Sequence, residues 1–337
     1  MAVIRQSCRP PDTENPADAG LLLGAYRPTL ALRVESANVM RTPIIRFTLF
    51  LLSLLPMRLA HGLGGMVGWL FYRIPNRERR NACINLALCL PELSEVERDR
   101  LLRCMIENAK TLTEAPGIWR GRCGYGVERI FDETGGEMLT AMLSEGKGVI
   151  VAVPHLGSWE VGARVLASHA PTTVLYRPPR EQALAERMLA GRTSSGVRMV
   201  PTDNSGIKAL FKALRQGELV VILPDQQPKA RNQGAGVFAP FFGQSALTMV
   251  LVNRLAQKTG ASVVFTFAER LPAAEGYRLH WVEAPEGIAD PDPVVGAVAL
   301  NQGVELCVRR CPEQYQWSYK RFKARPPGQP KLYVGPK

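Results

Sequence analysis

Residues 148–170 read GVIVAVPHLGSWEVGARVLASHA. The first six are apolar and mostly β-branched, the composition of a strand covered on both faces. Pro154 ends that run, because proline has no amide hydrogen for an interior ladder and biases its predecessor to extended backbone. From Trp159 apolar residues recur at helical spacing, with Ser158 in the N-cap position. Glu160 falls in the first turn, where the helix dipole favours a carboxylate. A buried strand feeding a helix through a short corner is the repeating unit of an α/β sheet.

The pattern continues on both sides. Helix EMLTAMLSE (137–145) precedes the strand, and strand TTVLYR (172–177) follows the helix. Then come helix GIKALFKALRQG (206–217), strand ELVVILP (218–224), helix ALTMVLVNRLAQKTG (246–260), strand ASVVFTFAER (261–270) and helix PVVGAVALNQGVELCVRR (293–310). This alternation predicts an α/β fold with a largely parallel central sheet flanked by helices. Residues 81–120 are expected to be helical, and Ser94 with Glu97 has the spacing of a capping box.

Upstream the character changes. Residues 1–40 form a polar leader without periodicity, expected to be disordered or a misassigned start before Met40. Ile44–Ile74 is strongly apolar but interrupted by Arg46, Pro56, Arg58 and His61. The clean run Phe47–Leu55 is shorter than the roughly 20 residues a spanning helix needs. Two short helices in the membrane interface suit it, with Arg73, Arg77, Arg79 and Arg80 following as a basic flank for anionic headgroups. A buried hairpin with a solvated loop is the alternative. The expected organisation is a leader at 1–40, a membrane-associating helical segment at 41–75, the α/β domain at 76–328 and a tail at 329–337.

The formal net charge is +12, which favours anionic partners: lipid, phosphorylated substrate or nucleic acid. Few aromatics and no zinc-finger or RNP-like pattern place nucleic acid last. The seven cysteines are odd in number and show no C-x-x-C spacing, which fits a reduced chain without structural zinc.

His155 and Glu160 stand five apart, which on one ideal helix would turn them about 140° away from each other. The Pro-His-Leu-Gly-Ser corner removes that objection, so a carboxylate could fix the imidazole tautomer and leave the other nitrogen as a base. Spacing alone leaves a capped helix with a partly exposed histidine equally open. No G-x-S-x-G, H-E-x-x-H or P-loop is present, and GAGVFA (234–239) runs into Pro-Phe-Phe rather than opening a helix. Arg177, Arg192 and Asp225 follow at strand or helix ends, where ligands bind in open α/β sheets, and Lys229 and Arg231 lie just beyond Asp225.

Taken in order, PHLGSWE, YRP, GR, LPDQQ, VFAPFFG followed by Thr248, and PEQYQWSYKRFK resemble the late lipid A acyltransferases of the glycerolipid acyltransferase superfamily, over about residues 41–328. The resemblance implies transfer of a fatty acyl chain from acyl carrier protein to a hydroxyl of a lipid A precursor. His155 would be the general base, Glu160 its orienting group, and Arg192, Asp225 and Arg177 substrate-binding residues. It implies no metal or cofactor, and a place on the cytoplasmic face of the inner membrane. Acylation of a glycerolipid or aminoacyl lipid, or non-catalytic lipid binding, remain alternatives. Many members carry P-D-x-D where this chain has Pro224-Asp225-Gln226-Gln227. The six Arg/Lys against one Glu between Arg309 and Arg325 suit either headgroup binding or a solvated basic helix end.

Overall fold

The computed structural model describes residues 42–121, 125, 130–134, 136–179, 181–228 and 234–334. The expected leader, Lys229 and Arg231 lie outside the described residues. The chain divides into Met1–Phe47 and Thr48–Lys337. Of the first unit only 42–47 is described, and it is helical.

In chain order the helices are α1 (42–54), α2 (Met57–Arg73), α3 (Arg77–Cys89), α4 (Glu95–Leu102), α5 (Cys104–Trp119), α6 (Gly136–Ser144), α7 (Trp159–His169), α8 (Gln182–Thr193), α9 (Asn204–Arg215), α10 (Leu251–Thr259) and α11 (Pro293–Arg310). The strands are β1 (Ile130–Thr134), β2 (Val149–Ala152), β3 (Thr172–Tyr176), β4 (Val197–Pro201), β5 (Leu219–Ile222), β6 (Gly236–Phe241), β7 (Gln244–Met249), β8 (Ser262–Arg270) and β9 (Tyr277–Glu283).

Seven strands form one sheet in the order β1-β9-β8-β2-β5-β3-β4. The five from β8 to β4 run parallel; β9 is antiparallel to β8 and carries β1 parallel to itself. Alternation along β2 divides the core in two: Ile150 and Ala152 pack with α9, α10 and α11, whereas Val149 and Val151 pack with α2, α6 and α7. This is the mainly parallel, helix-flanked sheet expected from the strand–helix alternation.

Two segments depart from the sequence reading. Residues 246–249 were expected at the start of a helix but belong to the β6–β7 hairpin, and α10 begins only at Leu251. The Pro/Phe/Gly-rich stretch before them forms strand β6. The turn is Phe242-Gly243, both at positive φ (47° and 72°), the backbone a tight two-residue hairpin requires. Pro240 is tolerated because, among the described residues, this ribbon has two strands and both are edges.

Helix α2 lies against α5 at close range. A Cβ on Gly68 would come within 2.5 Å of the Ile106 Cα, and one on Gly64 within 2.7 Å of the Lys110 Cα. The opposite face of α2 leaves Leu59, Met66, Trp69 and Leu70 exposed, and Phe71 is exposed near its C-terminal end. Among the described residues no helix is long and apolar enough to cross a membrane.

Candidate functional site

The site lies where two neighbouring parallel strands stop together. β2 and β5 pair in register with Ala152 opposite Ile222. Three residues beyond each, past Pro154 and Pro224, stand His155 and Asp225. Strands in a sheet are about 4.8 Å apart, so equal offsets bring the two side chains into reach. Asp225 Oδ1 lies 2.7 Å from His155 Nδ1, and Oδ2 accepts the His155 backbone N–H at 3.0 Å.

These contacts set the imidazole tautomer. An ionised carboxylate only accepts, so Nδ1 carries the hydrogen and donates it. Nε2 keeps its lone pair and accepts from the Gln226 side-chain amide at 3.2 Å. Burial by itself would push the Asp225 carboxyl up, but the charge and hydrogen bonds of His155 hold it below the ordinary range. The Trp159 ring packs on the imidazole in a T-shaped contact, with 5.2 Å between centroids.

The expected Glu160–His155 contact is replaced by another. Glu160 accepts Arg192 Nε at 3.0 Å and Nη2 at 2.5 Å, and the Trp119 indole N–H at 2.7 Å. Its position in the first turn of α7 places its carboxylate between α5 and α8, while the β5 side of the corner belongs to Asp225. Arg192 and Asp225, both expected on substrate, are thus engaged by protein groups. Arg177 is exposed just past β3.

Gly157 shapes the turn. It sits at φ +61°, and a Cβ there would stand 2.0 Å from the Ala268 carbonyl oxygen. That approach lets Ser158 N–H donate to the same oxygen at 2.8 Å, joining the corner to β8. Ser158 occupies the N-cap of α7 but makes no capping bond; its hydroxyl donates to Glu114 Oε1 at 2.6 Å.

Glu114 centres a network behind the corner. It is fully buried and pairs with Arg270 through Nε and Nη2, with His61 Nε2 at 2.7 Å, and with the Tyr277 hydroxyl at 3.2 Å. Arg270 also donates to the Gly157 carbonyl at 3.0 Å. Burial works to raise the Glu114 carboxyl, but Arg270 and then His61 outweigh it and hold it well below the usual carboxylate range. The sequence reading missed this network. Its signal was a carboxylate on the apolar face of α5 and an arginine closing a long apolar strand, each implying a buried partner.

The carboxyl-terminal segment wraps the same corner rather than lying free. Gly157 N–H donates to the Gln314 carbonyl at 3.3 Å, and Gln316 N–H to the His155 carbonyl at 3.1 Å. Arg321 is buried, donating to the Leu247 carbonyl at 2.7 Å and to Thr248 Oγ1 at 2.8 Å. Gln227 explains the departure from P-D-x-D: its amide donates to the Arg321 carbonyl at 2.6 Å and accepts Ala324 N–H at 3.3 Å. A carboxylate could only accept, so it could not satisfy that carbonyl.

A cleft of about 990 Å³ opens over the strand ends, lined by His155, Trp159, Arg177 and Arg192 and continued by apolar side chains including Val153, Val174, Met188, Val221 and Leu251. Among the described residues no cluster of three or more His, Cys, Asp or Glu is placed to hold a metal ion. Cys104 and Cys307 are buried thiols pushed up to about 12 by desolvation, and neither lines the cleft. The site therefore combines a cleft with apolar and polar lining, an imidazole whose Nε2 meets only a neutral amide, and a carboxylate to stabilise its protonated form.

The family model for bacterial lipid A biosynthesis acyltransferase matches residues 36–324. The chain is 31% identical to the lipid A biosynthesis lauroyltransferase of Escherichia coli K12, over 85% of this chain and 92% of that one. It is 30% identical to the palmitoleoyltransferase of the same organism (81% and 87% covered) and 28% identical to its myristoyltransferase (84% and 86% covered).

Proposed function

The chain belongs to the bacterial lipid A biosynthesis acyltransferase family and is an acyltransferase of late lipid A acylation, and on that premise we propose that His155, held by Asp225, is the base that activates the acceptor hydroxyl. The observation that carries this reading is the Asp225–Nδ1 hydrogen bond, which in the neutral imidazole puts the hydrogen on Nδ1 and the lone pair on Nε2, beside Gln226 at the cleft. The acceptor hydroxyl displaces the Gln226 amide and passes its proton to Nε2. Its oxygen attacks the thioester carbonyl, forming a tetrahedral oxyanion. Collapse breaks the carbon–sulfur bond, and the departing thiolate takes the proton from the imidazolium. Asp225 stabilises that imidazolium without itself being protonated.

The oxyanion needs donors, and the first turn of α7 supplies them. Ser158 leaves the amides of Trp159 and Glu160 uncapped because its hydroxyl is held by Glu114. Glu160 acts through position: its bonds to Arg192 and Trp119 fix α7 against α8 and α5. Arg177 stands exposed at the cleft to meet acceptor phosphate, and the apolar lining takes the acyl chain.

The donor is acyl carrier protein, whose acidic surface suits a +12 chain. The enzyme works at the cytoplasmic face of the inner membrane. Its exposed apolar residues on α2 enter the interface, with Arg73 stacked 5.6 Å from the Trp69 ring at the headgroup level. Mass spectrometry of lipid A tests the whole reading. A strain lacking this gene is expected to lose one acyl chain and to regain it with the parental gene but not with His155→Ala. Restoration by a folded His155→Ala protein contradicts the mechanism.

A further inference from the structure

Helices α9 and α10 carry Lys208, Lys212, Arg215, Arg254 and Lys258, all exposed, and no aspartate or glutamate. Lys208, Lys212 and Arg215 recur at one-turn spacing, so they form a single stripe. The two helices share a core through Leu210, Ala213, Leu214, Val252, Leu255 and Ala256 and touch each other, so their cations lie on neighbouring helices. Among the described residues none of the five cations forms an ion pair. Of the acids on adjoining segments, Asp203 accepts the Ser205 and Gly206 amides, Glu218 pairs with Arg198, and Asp290 and Asp292, in the segment that Asn253 of α10 holds, accept the amides of Asp292 and Val294; Glu286 of that segment is exposed.

α9 and α10 pack on the sheet face that presents Ile150 and Ala152, whereas α2 reaches both cores, with Met57 and Ala60 on the Val149 and Val151 side and Tyr72 on the other. What sets the α9 and α10 surface apart is that it borders the cleft, through Asn204, Ser205, Ile207, Leu251 and Arg254, so a macromolecule landed there can pass a tethered chain to the site.

We propose that the outer face of α9 and α10 is the landing surface for the acyl donor, an acidic carrier protein whose thioester arm enters the cleft from this side. This rests on the reading that the donor is carrier-borne. The two substrates then meet over the strand ends at His155. Arg254, at the cleft and on the stripe's edge, is positioned for the phosphate that links such an arm to its carrier. Long-range attraction between a stripe of cations and an acidic partner speeds encounter and weakens with salt.

The test uses the purified enzyme with Lys208, Lys212 and Arg215 all changed to Glu. Transfer is measured from acyl carrier protein and from the same acyl chain on free phosphopantetheine. The expected result is a KM for the carrier donor raised about tenfold or more, with kcat retained and the small-donor reaction unchanged. The salt dependence of the parental carrier reaction is expected to flatten in the variant. A triple Lys/Lys/Arg→Gln variant is expected to show a smaller rise in the same direction, and thermal unfolding of both confirms folding. An unchanged KM for the carrier, or equal loss with both donors, overturns the proposal. Loss of sedimentation with anionic vesicles by the triple Glu variant overturns it in favour of a lipid surface. If the parental enzyme takes chains from the small donor but never from the carrier, the donor reading fails as well.

Discussion

Two buried carboxylates serve the same turn in different ways. Asp225, in front, faces an imidazole that borders the cleft; Glu114, behind, faces a guanidinium sealed from solvent, with side-chain exposures of 0% and 2% across that pair. Arginine is permanently charged, so the rear pair cannot switch and only holds the backbone of Gly157 and Ser158 in place. Histidine changes charge during a reaction cycle, so the front pair can move a proton. Front substitutions should therefore remove rate and leave the fold, and rear substitutions should remove the fold first.

The largest expected effect is in front. His155→Ala and Asp225→Asn should each lower kcat by about 10³–10⁴ while the unfolding transition stays near the parental value. Comparable loss of stability in both would erase the distinction. Next is Glu114→Ala, which leaves Arg270 buried without its partner and should cost about 3–5 kcal/mol in denaturant unfolding. Glu114 also marks the acid limb. Its folded pKa is depressed, so its contribution is complete above the ordinary carboxylate value of about 4 and is lost as pH falls from there toward the folded value. Stability measured from pH 6 downward should fall less steeply in Glu114→Gln than in the parent; parallel curves would sharpen the comparison against Glu114. Smaller still is Gln227→Glu, expected to cost about 1–3 kcal/mol by leaving the Arg321 carbonyl without its donor. An unchanged melting transition would show that the tail is not held this way.

Much of this was legible from the residues. Strand-helix alternation identified the sheet, and Pro154-His155 identified the corner. The partner of His155 was mistaken because the local spacing of Glu160 was weighed, while the strand pairing that matters is not local. Val-Pro-His and Leu-Pro-Asp are the same strand ending written twice, but only the pairing of β2 with β5 makes them neighbours. The β6–β7 hairpin was hidden because Ala246–Met249 runs into the apolar pattern of α10 and its turn requires a non-glycine residue, Phe242, at positive φ. The rear network was hidden because Glu114 and Arg270 are 156 positions apart.

The most direct test of His155 and Asp225 as one unit is a double-mutant cycle on kcat, with transfer followed by product mass. Residual turnover in His155→Ala provides the baseline. Adding Asp225→Asn to His155→Ala is expected to change that baseline by less than about threefold, while adding Glu160→Gln lowers it further because Glu160 positions α7 independently. Full additivity of Asp225→Asn, with Glu160→Gln silent in the absence of His155, would contradict the assignment and return the orienting role to Glu160.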